Sequence, residues 1–271
     1  MTRPATPPVI ILCGGLGTRL REHSDTIPKP LVSIGYRPII WHLMRYYAHY
    51  GHRQFILCLG YRAEAIKRYF LEYDETRSND FVLSGDHDVE LLARDMDDWE
   101  ITFVDTGVNA TLADRLRAVR DHLAGEQMFL ANYADVLTDA PLNELIDRFA
   151  RTDAAAAFLA VRPTNYSFHV VRSDEDGAVR RLEDIRAADL WINGGYFILR
   201  HEVLDMLEPG EELVVEPFAR LAAAGRLLAL RHDGFWAPMD TIKDMHTLEE
   251  LYESGEPPWA SWLWSGGPAK R

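Results

Sequence analysis

Residues 9–20 read Val-Ile-Ile-Leu-Cys-Gly-Gly-Leu-Gly-Thr-Arg-Leu, and residues 28–30 read Pro-Lys-Pro. The apolar run at the start predicts a short buried strand. The glycines that follow allow backbone angles that side chains forbid, so the loop can bring its amide groups against phosphate oxygens. A helix beginning near Thr18 would add its dipole to this anion site, and Arg19 and Lys29 would add two full positive charges. The pattern therefore predicts a site for a nucleoside triphosphate.

Two other glycine-rich motifs do not fit this loop. The dinucleotide-binding fingerprint needs a third glycine three positions after Gly17, where the chain has Leu20. A Walker A loop needs Gly-Lys followed by Ser or Thr, and this loop contains no lysine. Lys29 stands instead between two prolines, which fix the backbone and so aim the side chain. A tight turn between a strand and a helix, with solvated charges, is the alternative interpretation.

The complete pattern resembles the sugar-phosphate nucleotidylyltransferases, which join a sugar 1-phosphate to a nucleoside triphosphate and release pyrophosphate. Within that family the chain is most similar to the glucose-1-phosphate cytidylyltransferase branch. The likeness extends from about residue 9 to residue 252, and the segments that carry it are residues 14–20, 28–35, 38–42, 191–197 and 234–241. The resemblance implies an α/β fold of Rossmann-like type, with three layers, a mostly parallel mixed central sheet and small β excursions.

Alternating strand and helix patterns favour the same fold class from the residues alone. Buried strands are predicted at residues 54–59, 101–105, 127–132, 154–161, 191–199 and 227–231. Helices are predicted from Pro38 to the residue before Gly51, and at residues 63–70, 113–123, 216–224 and 242–252. This alternation is typical of a parallel sheet covered on both faces. The acidic residues 73–99 predict loop and a short hairpin, with a turn at Ser84-Gly85-Asp86.

The chain contains no internal repeat or low-complexity linker, so residues 1–255 are predicted to form a single domain. Residues 256–271 form a tail with three tryptophans, at positions 259, 262 and 264. Aromatic side chains this closely spaced predict docking onto the chain's own core or onto a neighbouring subunit. A disordered tail is the alternative.

Composition limits the classes of partner and compartment. The formal charge of −13 argues against nucleic acid or an anionic membrane as the main partner, because both require a basic face. A free nucleotide with a metal ion remains compatible with this charge. The two cysteines, Cys13 and Cys58, lie in apolar runs, and the N-terminus lacks the apolar run of a signal peptide. We therefore expect a cytoplasmic protein that acts on small molecules, and a homo-oligomer is compatible with this composition.

The chemistry of nucleotidyl transfer suggests roles for the charged residues. No covalent nucleophile is needed, so positioning and electrostatics supply most of the rate. We expect Arg19 to hold the leaving phosphates and Lys29 to hold the α-phosphate. The resemblance aligns Asp135 and Asp240 with the family's magnesium ligands, although an aspartate after a strand is often only a cap or turn former. The predicted nucleotide-binding residues are Leu12, Gly14, Gly15, Gly17, Thr18, Thr111 and Arg115.

The resemblance also implies contacts to the sugar phosphate. Asn193 and Gly194 are expected to contact sugar hydroxyls, with Glu183 and Glu216 as further partners and Arg181 as a cation for the phosphate. The alternative interpretation is ordinary strand and helix surface.

Three departures from the cytidylyltransferase pattern affect the finer assignment. Residues 111–115 read Thr-Leu-Ala-Asp-Arg where that branch has Thr-Gly-Gly-Arg, so side chains and a carboxylate enter the expected base pocket. Residues 183–185 read Glu-Asp-Ile in place of Glu-Lys-Pro, which removes the lysine that grips the acceptor phosphate. Arg180, Arg181 or Arg186 could replace that lysine. Residues 134–136 read Ala-Asp-Val in place of Gly-Asp-Gly.

Together these features predict a magnesium-dependent nucleotidylyltransferase that makes a nucleoside diphosphate sugar, with CTP as the favoured donor. GTP, UTP, dTTP or ATP stay open because of the altered base segment, and an unusual or non-sugar phosphate stays open as acceptor because of the missing lysine. A nucleotide-binding regulatory protein without turnover is the alternative from another class.

Overall fold

The computed structural model describes residues 6–15, 27–77, 79–96, 98–163, 169–185 and 188–263. The strands are β1 (Val9–Leu12), β2 (Ser33–Ile34), β3 (Arg37–Pro38), β4 (Gln54–Leu59), β5 (Phe81–Leu83), β6 (Val89–Leu91), β7 (Glu100–Asp105), β8 (Met128–Tyr133), β9 (Val136–Thr138), β10 (Ala156–Val161), β11 (His169–Ser173), β12 (Val179–Asp184), β13 (Ile192–Arg200), β14 (Leu227–His232) and β15 (Trp236–Pro238). The α-helices are α1 (Ile39–His49), α2 (Ala63–Leu71), α3 (Leu112–Ala118), α4 (Leu142–Ala150), α5 (Glu216–Ala223) and α6 (Ile242–Glu253).

The central sheet has seven strands in the order β14-β10-β13-β8-β1-β4-β7. Strand β1 runs parallel to both neighbours, with Val9 beside Phe55 of β4 and Leu130 of β8. Of these seven strands only β13 is antiparallel to its neighbours. The predicted mostly parallel, mixed sheet is confirmed. The carboxyl ends of the six parallel strands therefore share one edge with the amino end of β13, and ligands of such sheets bind at that edge.

Both faces of the sheet are covered, because β1 sends alternate side chains into two hydrophobic cores. Val9 and Ile11 join the core formed with α1, α2, α4 and α6. Ile10 and Leu12 join the opposite core, formed with α3 and α5. Successive strand residues point to opposite faces, so a strand buried on both sides contains no polar residue. The result is the three-layer arrangement expected from the sequence.

Several short elements differ from the sequence-based expectation. The helix predicted at residues 113–123 is divided into α3 and a 3-10 turn, Arg120–Leu123. Thr111 and Asp114 form a capping box, which starts α3 one residue before the apolar pattern does. The pairs β9–β15 and β11–β12, and helix α4, were not predicted. The hairpin expected within the acidic residues 73–99 is confirmed, since β5 pairs with β6.

Two tryptophans of the C-terminal tail dock onto the chain itself. Trp259 is fully buried, and its ring contacts His42 and Phe235. Trp262 makes an edge-to-face contact with Trp41 of α1. Trp264 lies outside the described residues. No helix in the described ranges is both long and apolar enough to cross a membrane.

The contact between His42 and Trp259 predicts a loss of stability in acid. Trp259 Nε1 donates to His42 Nδ1 at 3.3 Å, so His42 Nε2 carries the proton and donates to the Ile34 carbonyl at 2.9 Å. Burial lowers the pKa of His42 from 6.5 to about 4. The unfolded chain therefore binds this proton at a higher pH than the folded chain does, and stability falls as the pH drops below about 6.5.

We expect the His42 contribution to the free energy of unfolding to fall by about 2 kcal/mol between pH 7.5 and pH 5. Urea unfolding of the wild type and of His42→Gln at both pH values measures it. The wild type should show the steeper pH dependence, and equal slopes would contradict the buried neutral imidazole.

Candidate active site

A cavity of about 560 Å³ opens at the ligand-binding edge of the sheet. It is bounded by the loop after β1, the turn that carries Lys29, the segment before α3, the end of β8 and single residues from two later loops. Its described lining residues are Leu12, Cys13, Gly14, Gly15, Lys29, Pro30, Val108, Asn109, Ala110, Thr111, Leu112, Arg115, Tyr133, Ala134, Asp135, Glu212 and Asp240. The volume falls within the range typical of small-molecule sites.

Lys29 lies between the two aspartates that the sequence singled out. Its Nζ donates to Asp240 Oδ1 at 2.8 Å and to the Asp135 carboxylate. Burial lowers the pKa of Lys29, since its side chain is only 12% exposed, but the two carboxylates more than offset this, and the net shift is upward. Lys29 is therefore a charged ammonium in the wall of the cavity.

Local strand pairing explains how two aspartates far apart in sequence meet. Asp135 stands between β8 and β9, and Asp240 follows β15. Strands β9 and β15 pair antiparallel, with Val136 beside Pro238. Met239 N also donates to the Asp135 carbonyl at 2.9 Å. This small ladder, absent from the sequence-based prediction, fixes both carboxylates against the same cation.

The Arg115 side chain stabilises the glycine loop through hydrogen bonds. Its side chain is buried, and it donates to Thr106 Oγ1 at 2.6 Å and to the carbonyls of Gly14, Leu59 and Val108 at 3.2, 3.3 and 3.4 Å. Each terminal nitrogen thus already has two acceptors. Arg115 ties together the loops after β1, β4 and β7, so we interpret this predicted nucleotide-binding residue as one that positions the loop.

The guanidinium also explains why residue 14 must be glycine. A Cβ at Gly14 would lie 1.9 Å from Arg115 Nη1, whereas a Cβ at Gly15 would meet no described atom within 4 Å. We expect Gly14→Ala to reduce the free energy of unfolding by about 1–3 kcal/mol through overpacking. Gly15→Ala should leave it nearly unchanged. Thermal unfolding of the two variants tests this, and equal effects would contradict the assigned packing.

The carboxylate in the altered base segment does not enter the cavity. Asp114 accepts from Thr111 N at 3.4 Å in the helix cap and from Gly210 N at 3.0 Å. Ala113 is fully buried, so only Leu112 of the three substituted residues lines the cavity. The expectation that a carboxylate enters the base pocket is therefore corrected: Asp114 holds a neighbouring loop instead.

None of the five residues expected to contact the sugar phosphate is among the described lining residues of the cavity: Arg181, Glu183, Asn193, Gly194 and Glu216. Glu183, with a side chain only 8% exposed, lies on the β11–β12 hairpin and pairs with Arg181 at 2.6 Å and Arg172 at 3.4 Å. The hairpin register places Glu183 and the two arginines on one face, but the buried Glu183 Oε2 accepts no hydrogen bond among the described residues. The predicted sugar-phosphate contacts of Glu183 and Arg181 stay predictions.

Asn193 and Gly194 lie just beyond the cavity, behind Tyr133. The Asn193 side chain hydrogen-bonds the Tyr133 hydroxyl and accepts from Gly195 N at 2.9 Å. The Gly194 carbonyl accepts from Trp236 Nε1 at 2.8 Å. A Cβ at Gly195 would lie 2.5 Å from the Tyr133 ring, and its φ is +78°. Tyr133 and Trp236 therefore pack closely against this glycine pair, and the predicted sugar contacts of Asn193 and Gly194 stay predictions.

Five of the predicted nucleotide-binding residues line the cavity: Leu12, Gly14, Gly15, Thr111 and Arg115. Gly17, Thr18 and Arg19 lie outside the described residues, so their contacts stay predictions. Sequence reasoning missed Tyr133 and Glu212. Glu212 gave no signal because it belongs to a run rich in glutamates, and a tyrosine at a strand end has no distinctive motif.

The charges around the cavity fit a site that needs a metal ion. Its described lining has two cations, Lys29 and Arg115, against the carboxylates of Asp135, Glu212 and Asp240. A triphosphate adds further negative charge, so binding requires additional cations. Two carboxylates completed by phosphate oxygens and water suit Mg²⁺. Within the described ranges no cluster of three or more His, Cys, Asp or Glu side chains could hold a metal by itself.

Comparisons with known proteins identify the family. A family model for nucleotidyl transferases matches residues 8–254. The glucose-1-phosphate cytidylyltransferase of Salmonella typhimurium is 36% identical over 257 residues, which cover 93% of this chain and 98% of that protein. A probable glucose-1-phosphate cytidylyltransferase of Bacillus subtilis is also 36% identical, over 93% of this chain and 99% of that protein.

Solved structures agree on the fold. HddC from Yersinia pseudotuberculosis has a TM-score of 0.67 and 19% identity, over 91% of this chain and all of that chain. A putative glucose-1-phosphate thymidylyltransferase from Bacillus anthracis, in complex with a sucrose, has a TM-score of 0.65 and 16% identity, over 91% and 95% of the two chains. The predicted resemblance is confirmed, and the chain belongs to the nucleotidyl transferase family.

Proposed function

We propose that the protein joins a sugar or sugar-like 1-phosphate to a nucleoside triphosphate, with CTP favoured, to give a nucleoside diphosphate sugar and pyrophosphate. The observation that carries the proposal is the contact of Lys29 with both Asp135 and Asp240 in a cavity bounded by a glycine loop. The two relatives at 36% identity are both named as glucose-1-phosphate cytidylyltransferases, which supports CTP as donor.

In the proposed reaction an oxygen of the acceptor phosphate attacks the α-phosphorus of the triphosphate. A new P–O bond forms, the bond to the β-phosphate oxygen breaks, and its electron pair leaves with pyrophosphate. Lys29 is assigned to the α-phosphate, where a charged ammonium stabilises the extra negative charge of the transition state. The amides of Gly14 and Gly15 are assigned to the phosphates, and Arg19 to the leaving pyrophosphate.

We infer that Asp135 and Asp240 hold a divalent cation, and that this cation is Mg²⁺. Lys29 contacts both carboxylates, so the pair is already arranged to bind a common positive charge. Bound there, the metal would neutralise charge on the phosphates and hold them in line with the acceptor.

The residues expected to bind the acceptor depart from the family pattern, because Glu183 pairs with arginines and Asp184 stands where the family has a lysine. This observation favours a second candidate, the same transfer with another nucleotide and an unusual or non-sugar phosphate.

A cytoplasmic location fits the two free, buried thiols of Cys13 and Cys58. Association into a homo-oligomer stays a prediction.

A pyrophosphate-release assay tests the proposal, with CTP, UTP, dTTP, GTP and ATP each combined with several sugar 1-phosphates and a phosphorylated non-sugar alcohol. We expect turnover with a sugar 1-phosphate and the highest rate with CTP. Turnover only with the non-sugar acceptor would support the second candidate. Nucleotide binding without turnover in any pair would contradict an enzymatic role and favour a regulatory one.

A further inference from the structure

The loop at residues 208–216 is held in place by three carboxylates, none of which lines the cavity. Glu211 accepts from Arg220 Nη2 at 2.8 Å and from Glu208 N at 3.0 Å. Glu216 accepts from Glu212 N at 2.9 Å. Asp114, on α3, accepts from Gly210 N at 3.0 Å. These contacts fix the backbone on both sides of residue 212.

Glu212 is the glutamate of this loop that lines the cavity. Among the described residues its carboxylate makes no hydrogen bond and no ion pair, in contrast to Glu211, Glu216 and Glu183, although its charge acts to raise the pKa of Arg115. Glu212 lies close to Tyr133: burial raises the pKa of that phenol to about 12, and Asp135 and Glu212 add to the rise, against the hydrogen bond from Asn193. The loop thus presents one unpaired carboxylate on the side of the cavity where β8 meets β13.

Asp135 and Asp240 are assigned to a metal ion, but a carboxylate that binds no metal would repel the phosphates, so we expect Glu212 to face an uncharged part of the substrates. An ionised carboxylate only accepts hydrogen bonds, so its partner must be a donor. Ring hydroxyls of a sugar are donors of the right kind, and the two substrates of the proposed reaction carry them on the acceptor sugar and on ribose. The exocyclic amine of a base is the remaining donor.

We propose that Glu212 accepts hydrogen bonds from ring hydroxyls of a substrate sugar, the role that resemblance alone assigns to Glu183. The inference rests on the proposed function. Glu183 pairs with Arg172 and Arg181, whereas Glu212 lines the cavity without such a pair among the described residues.

The test compares Glu212→Gln with Glu208→Gln, the same substitution at an exposed residue of the same loop that is not among the described lining residues. Loss of a hydrogen bond to a charged acceptor should lower kcat/KM by about 10- to 100-fold in Glu212→Gln. Glu208→Gln should stay within about twofold of the wild type. If Glu212 contacted no hydroxyl and only repelled the phosphates, Glu212→Gln would instead lower the KM for the nucleotide. That result would overturn the proposal.

Deoxy substrates identify the hydroxyl that Glu212 contacts. One set of assays uses deoxy sugar 1-phosphates, and the other uses 2′-deoxy and 3′-deoxy nucleoside triphosphates. The wild type should lose about tenfold or more with one analogue, and Glu212→Gln should not distinguish that analogue from its parent. A loss confined to the first set assigns Glu212 to the acceptor, and a loss confined to the second assigns it to ribose.

Two further results would overturn the inference. Equal losses in wild type and Glu212→Gln with every analogue would show that Glu212 contacts no ring hydroxyl. A variant altered only in its choice between CTP and UTP would assign Glu212 to the base amine. Both results differ from a failure of the proposed function, in which the wild type itself would show no turnover.

Discussion

Lys29→Ala is expected to lower the turnover number by about 100- to 1,000-fold, the usual cost of removing one preorganised group that stabilises transition-state charge. The Lys29 ammonium is held by Asp135 and Asp240 in the cavity wall, so it acts from a fixed position. Lys29→Arg keeps the charge but changes its geometry, and it should recover only part of the rate. Steady-state pyrophosphate release measures the turnover numbers of the wild type, Lys29→Ala and Lys29→Arg.

Lys243→Ala is the matched control for Lys29→Ala. Lys243 is exposed on α6, three residues after Asp240, and does not line the cavity within the described residues. It should retain wild-type turnover. Lys29→Ala should also fold, as measured by circular dichroism and thermal unfolding. A folded Lys29→Ala enzyme with near-normal turnover would contradict the role of this ammonium at the α-phosphate.

Asp240→Asn is expected to raise the magnesium concentration for half-maximal rate by about tenfold or more. A neutral amide binds Mg²⁺ more weakly than a carboxylate does. Among the described residues, only Asp135 shares with Asp240 the contact to the Lys29 ammonium, so only one carboxylate of this pair would remain. Titration of the rate with MgCl₂ at saturating nucleotide measures the shift. The turnover number at saturating metal should fall less than it does in Lys29→Ala.

Asp233→Asn provides the control for this titration. Asp233 is an exposed aspartate that pairs with Arg162 at 3.4 Å, and it is not among the described lining residues. Its magnesium requirement should match that of the wild type. An unchanged magnesium requirement in Asp240→Asn would count against coordination by this carboxylate, directly or through water.

The sequence predicted those parts of the fold that depend on local pattern. Strand β1 and helix α1 are visible from apolar periodicity and from residues at their ends, and the order of strands and helices predicts a parallel sheet. Short ladders such as β9–β15 carry no periodic signal, because three residues are too few to show one. These ladders nevertheless bring Asp135 and Asp240 together.

The residues of the candidate site also divide into those that the sequence indicates and those that only the fold reveals. Lys29 could be singled out because it stands between two prolines, and the two aspartates because the resemblance aligns them with the family's magnesium ligands. Alignment carries over a residue's position but not its partners, so it could not predict that Arg172 and Arg181 flank Glu183. Glu212 could not be found, since only the fold distinguishes it from Glu208, Glu211 and Glu216, which lie within a few residues of it.

The central claim is that Lys29, Asp135 and Asp240 act on one triphosphate together with a divalent cation. A crystal structure of the protein with Mg²⁺ and a non-hydrolysable CTP analogue tests it most directly. The account predicts Lys29 Nζ on the α-phosphate, the metal on the carboxylates of Asp135 and Asp240, and the Gly14 and Gly15 amides against the phosphates. A triphosphate bound away from Lys29, with its metal held by other residues, would contradict it.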